Sequence, residues 1–152
     1  MPRSDPAAIR AMQAALVAEH AAVYGYGVVG SYLSGRMQAV ASADWVAHQV
    51  ARDELEAMLR SSGAQPAAAA VAYRLPLAVR TAGDAVSLAV TLEDRITTAY
   101  LGMVAVATPA IREFGARQVQ ASALRAAAWR GTTVAFPGLP PAVLAVPRSH
   151  GS

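Results

Sequence analysis

The sequence contains no cysteine, no lysine and no asparagine. Without cysteine it can build no disulfide framework, no zinc–thiolate site and no cysteine nucleophile, and the thiol content says nothing about compartment. All 13 basic residues are arginine, which together with an alanine excess matches a GC-rich coding bias. That bias weakens any reading of the arginines as selected for phosphate. Charge is also scarce, at 15% of residues, and the net charge is only +3. The arginines are scattered from Arg3 to Arg148 with no dense run, which argues against the clustered basic face of a nucleic-acid binder. The longest apolar run, Ile96 to Ala107, falls well short of the roughly 20 residues that a membrane span needs. The N-terminal stretch, Met1 to Pro6, lacks an apolar signal core. These absences together predict a cytoplasmic protein with neither a membrane nor a nucleic-acid partner.

What is present is a chain of 152 residues, 55% hydrophobic, which fits one globular domain with a real core. Apolar residues recur at helical period. A first helix starts at Asp5-Pro6, where a carboxylate can cap and proline costs no hydrogen bond, and runs to about Ser34-Gly35. A link from Arg36 to Ala43 leads to a second helix, from about Asp44 to Ser61, with Gly63 suited to a left-handed cap. A long connection, Ala64 to Gly83, follows, in which Pro66 to Tyr73 could form a short helix. A third helix opens at Thr81 with a capping-box spacing to Asp84. A fourth spans Pro109 to Arg130, with Phe114, Gln118, Ala121, Arg125 and Ala128 on one stripe, and Gly131 ends it. The expected organisation is a bundle over residues 5–131 and a Pro-rich extended tail over 132–152, packing Phe136 and Leu139 on the bundle. Two short links around one long one predict an all-α, ferritin-like four-helix bundle, with a long crossover between its second and third helices.

Each predicted helix carries polar groups at about the same height. The first brings Glu19 and His20, the second His48 and Arg52, the third Glu93 with Asp94 and Arg95, and the fourth Gln118 and Arg125. Buried charge must be paired, hydrated or metal-bound. A di-iron bundle takes one Glu from each of two helices and a Glu-x-x-His pair from each of the other two. Glu19 and Glu93 can play the single-Glu parts. The paired motif fails, because Trp45 stands three residues before His48, Ala116 stands three after Glu113, and the fourth helix has no His. A reduced site of Glu19, His48 and Glu93, or the pair Asp44 and His48, is the remaining metal option, for iron or manganese. The alternative is a salt-bridge layer in which Arg52 and Arg125 face Glu19 and Glu93. That layer is the first reading, with His20 as a hydrogen-bonded core or groove histidine. The glycines of Gly25 to Gly30 have the spacing of a dinucleotide loop but sit inside a helix with no strand before them. Tyr24, Tyr26, Tyr32 and Tyr100 read as core or interface aromatics.

The segments Leu16 to Gly27, His48 to Asp53, Leu92 to Arg95 and Ala128 to Gly138 resemble an actinobacterial ferritin-like domain family of unknown function. The resemblance spans about Ala8 to Pro140 and implies the same four-helix bundle. It implies little about activity, since fold alone does not assign function. The di-iron pattern carries over at Glu19 and Glu93 and departs on the second and fourth helices. The first functional expectation is a structural or binding module whose Glu/Arg/His layer replaces a di-iron centre, with no catalytic residue assigned. The alternatives are an iron- or manganese-dependent oxidoreductase and a small-ligand carrier. A homodimer through the apolar surface of the first helix is expected as well.

Overall fold

The computed structural model describes residues 5–106 and 108–131. The expected tail contacts of Phe136 and Leu139 lie outside the described residues. Four helices occur in order: α1 (Pro6–Ser31), α2 (Gly35–Ser61), α3 (Ala82–Val104) and α4 (Pro109–Arg130). No strand occurs among the described residues.

Local chemistry explains most of the boundaries. Asp5 accepts from the Ala7 amide at 2.9 Å, and Pro6 occupies the first turn of α1. Thr81 and Asp84 form a reciprocal capping box at the start of α3. Gly131 closes α4 in the left-handed conformation, at φ 78°. One boundary differs from expectation. The stretch Arg36 to Ala43 is helical, so α2 begins at Gly35 and the link is only Tyr32 to Ser34. Gly35 takes φ 56°, which lets the chain reverse at once. The residues after it contain no breaker that would delay the helix.

Two apolar clusters fix the directions of the helices. The first joins Met12 of α1 to Leu55 and Leu59 of α2, Tyr100 and Met103 of α3, and Ile111 and Phe114 of α4. The second joins Val29 of α1 to Ala41, to Ala85 and Leu88, and to Trp129. The start of α1 thus meets the ends of α2 and α3 and the beginning of α4, while its own end meets their opposite ends. So α1 runs antiparallel to both α2 and α3, and α4 antiparallel to α3. Because α2 and α3 run parallel, the connection between them has to travel the length of the bundle.

That crossover lies along α1. The Gln13 side chain donates to the Gln65 carbonyl at 2.7 Å and accepts from the Ala67 amide at 2.9 Å. His20 Nε2 lies 3.0 Å from the Ala67 carbonyl oxygen. Further on, the Tyr73 ring stands 5.5 Å from that of Tyr24. These contacts explain why Pro66 to Tyr73 is not the short helix expected. The amide and carbonyl of Ala67 are met by side chains of α1, which holds the chain extended there. On the other side α4 sits close against α3. A Cβ at Gly115 would come within 2.8 Å of Met103 Cβ and 3.2 Å of the Tyr100 carbonyl, so only glycine permits that approach. The buried stripe of α4 is Ile111, Phe114, Ser122, Ala126 and Trp129. It is rotated from the expected one, and Ala128 is exposed.

Candidate functional site

The middle of the bundle holds a buried polar layer centred on His48. Its Nδ1 lies 2.7 Å from Glu19 Oε2 and its Nε2 lies 2.9 Å from Glu93 Oε1. All three side chains are fully buried. A neutral imidazole has one N–H and one lone pair, so it can donate to only one carboxylate. With a carboxylate against each nitrogen, the fitting form is the imidazolium, donating on both sides. Burial alone would pull its pKa down, but the bonds to Glu19 and Glu93 prevail and push it up to about 9.

Each carboxylate has a phenol as well. Tyr100 donates to Glu19 Oε1 at 2.6 Å, and Tyr26 donates to Glu93 Oε1 at 2.6 Å. The bonds cross between helices: the phenol of α3 serves the carboxylate of α1, and the phenol of α1 serves that of α3. Burial, and then the neighbouring carboxylates, push both phenols far above their ordinary pKa, so both remain protonated donors. Arg125 of α4 donates through Nε to Glu93 Oε1 at 3.0 Å. Against the cost of burial, His48 and then Arg125 hold Glu93 below the usual carboxylate range. Glu19 and Glu93 therefore face two cations, His48 and Arg125. Beside it, Asp44 Oδ2 accepts from Trp129 Nε1 at 2.8 Å and lies 3.5 Å from the Tyr26 hydroxyl. Burial raises the Asp44 pKa, although the Trp129 bond opposes the shift. Thr97 and Ser122 share a hydroxyl contact of 2.7 Å between α3 and α4.

Of the residues singled out in the sequence, Glu19, His48, Glu93 and Arg125 meet in this layer. Three do not. His20 turns to the crossover. Arg52 reaches outward to Asp53 at 2.8 Å, so the second cation of the layer is His48 and not a second arginine. Gln118 is only part-buried, and its carbonyl accepts from Ser122. Asp94 pairs with Arg130 at 2.7 Å, away from the layer. Tyr26, Tyr100 and Trp129 complete the layer and were not assigned to it. A signal for the two tyrosines does exist: Glu19–Tyr26 and Glu93–Tyr100 repeat the same seven-residue spacing, two turns along one face.

The donor set does not fit a metal centre. Both nitrogens of His48 and both oxygens of Glu19 are engaged by other side chains. Glu93 Oε1 accepts three donors, and only Glu93 Oε2 lacks a hydrogen-bond partner. One open oxygen is no coordination shell. Among the described residues, no group of three His, Asp or Glu side chains is arranged to hold an ion.

A family model for a domain of unknown function, DUF4439, matches residues 11–141. The chain belongs to this family. The DUF4439 match takes in α1 from residue 11 onward, the whole of α2, α3 and α4, and every member of the buried layer. The chain is also similar to a crystal structure of a conserved hypothetical protein, rv2844, from Mycobacterium tuberculosis. The two share 32% sequence identity and a TM-score of 0.80, over 84% of this chain and 98% of that one. No curated protein matches the chain. Among the described residues of this DUF4439 protein, no helix is long and apolar enough to cross a membrane.

Proposed function

We propose that this protein is a ferritin-like bundle that works as a binding scaffold, with an organic cation where a metal-dependent relative would carry its ion. The observation that carries this reading is His48, held between Glu19 and Glu93 with a carboxylate against each ring nitrogen. An imidazolium in that position does what a bridging cation does: it neutralises two buried carboxylates and ties three helices together. Glu19, His48 and Glu93 are fully buried and offer no open face to a substrate. That favours a structural role for the layer over the iron- or manganese-dependent oxidoreductase.

The test is metal uptake. Protein purified without chelator and loaded anaerobically with ferrous iron or manganese is expected to retain no stoichiometric metal and to keep its melting temperature. A tight site would instead stabilise the fold by about 2.7 kcal/mol at a hundredfold excess over Kd, a shift of several degrees. One ion per chain, lost in Glu93→Ala, would move the assignment to the oxidoreductase.

Self-association belongs to the same proposal. Val17 and Tyr24 of α1 and Tyr32 just beyond its end stay exposed, as do Val46 and Val50 of α2, and apolar surface of this kind favours a homodimer. Light scattering on a sizing column is expected to give twice the chain mass. A monomer at high concentration would remove the dimer from the proposal.

A further inference from the structure

We propose that the cleft between α1 and the crossover binds a small organic carboxylate with an apolar body. The inference deepens the scaffold reading by naming a ligand class, and it uses residues away from the buried layer. The cleft has a volume of about 250 Å³ and is lined by Ala18 and Ala21 of α1, Leu92 of α3, and Tyr73, Leu75 and Pro76 of the crossover, among others. Small alanines make the floor, so the space exists because α1 presents methyl groups where larger side chains would fill it. Gly25 contributes from behind. A Cβ there would come within 2.5 Å of Leu92 Cδ1, so glycine lets the Leu92 side chain draw back against α1.

Charge decides the ligand. Arg74 from the crossover and Arg95 from α3 both line the cleft, and no acidic residue does. Five other arginines, namely Arg52, Arg60, Arg117, Arg125 and Arg130, each pair with a carboxylate. Arg74 and Arg95 make no ion pair among the described residues. Two arginines from separate elements, lining an apolar hollow that carries no acidic residue, are complementary to an anion. A guanidinium grips a carboxylate through two parallel N–H bonds. Inorganic phosphate would satisfy the arginines but leave the alanine floor and Leu92 without contact. The volume lies just under the range of pockets for drug-sized ligands, which sets the scale at a short-chain or single-ring acid.

The experiment titrates the full-length protein with sodium octanoate, octan-1-ol and inorganic phosphate, followed by amide and methyl NMR shifts. Octanoate is expected to saturate shifts at Leu92, Arg95 and Tyr73 with a Kd of about 1 mM or tighter. Octanol and phosphate should each bind at least about tenfold more weakly. Arg74→Gln and Arg95→Gln, both surface changes, should each weaken octanoate about tenfold, the scale of one charge-assisted bond. Ala18→Leu, which fills the floor without touching charge, should abolish it. Absence of saturable shifts at those residues overturns the proposal. So does equal binding of octanol, which removes the anion requirement, or of phosphate, which removes the apolar one. Indifference to both arginine variants overturns it too. These outcomes are separable from failure of the scaffold reading, which is decided by metal uptake at Glu93 and leaves the cleft unchanged.

Discussion

Glu93→Ala is expected to destabilise the protein by about 3–5 kcal/mol, the loss that follows when a buried ion pair is broken from one side. The size follows from the three donors on one oxygen. Tyr26, His48 and Arg125 all give their hydrogen to Glu93 Oε1. Truncation leaves a buried imidazolium with one carboxylate instead of two, a phenol without its close acceptor, and a mostly buried guanidinium unpaired. At about 2–4 °C per kcal/mol for a chain of this length, the melting temperature should fall by roughly 6–20 °C. Arg52→Ala is the internal contrast. Its partner Asp53 is 66% exposed in the side chain, and pairs of that kind are worth about 0–1 kcal/mol. Chemical denaturation of the two variants side by side measures the difference. A loss under about 1 kcal/mol for Glu93→Ala would mean that the layer does not hold the bundle together.

Raising the pH is expected to weaken the fold before any tyrosine of the layer ionises. His48 has a folded pKa of about 9, against an ordinary value of 6.5. Between these two values the folded state binds the proton and the unfolded state does not, so stability falls as pH rises. The contribution is fully present below pH 6.5 and is lost as pH passes through about 9. A shift of that size corresponds to about 3 kcal/mol of stability. At the other end, Glu93 has a lowered pKa, so its contribution is present above the ordinary carboxylate range and is lost as acid carries it through its folded pKa. Denaturation midpoints across pH 6 to 10 give the first slope, and ring ¹⁵N shifts of His48 identify its proton. Flat stability across that interval, with a singly protonated His48 at pH 7, would refute the bridging imidazolium.

The fold was legible in the sequence where its signals are local. Asp5-Pro6, the Thr81 and Asp84 pair, Thr108-Pro109 and Gly131 each act within one turn, and each marks the boundary it should. The start of α2 was not legible, because Ser34-Gly35 reads equally well as the stop of one helix and the start of the next. The layer was legible only in part. A charge in the middle of an apolar stripe must find a partner, which brings out Glu19, His48, Glu93 and Arg125. Nearness in sequence misleads about the others. His20 is one residue from Glu19 but about 100° around the helix, which turns it toward the crossover. Arg52 lies one turn from His48, yet its long side chain carries its charge out to water. The bond between Asp44 and Trp129 depends on the first half of α2 meeting the end of α4 in space, and no spacing along the chain records that.

The crossed phenol–carboxylate bonds constrain how the two helical hairpins can sit together. Tyr26 and Glu19 belong to one hairpin, Tyr100 and Glu93 to the other, and each hydroxyl completes the carboxylate of the opposite half. Sliding α3 along α1 by a single turn, about 5.4 Å, would uncouple both bonds at once and carry Glu93 away from His48. Apolar side chains tolerate slippage, because one leucine resembles the next. The two interlocked pairs do not, and they set a unique register for a bundle whose first helix is otherwise a nearly uniform surface of alanine, glycine and valine.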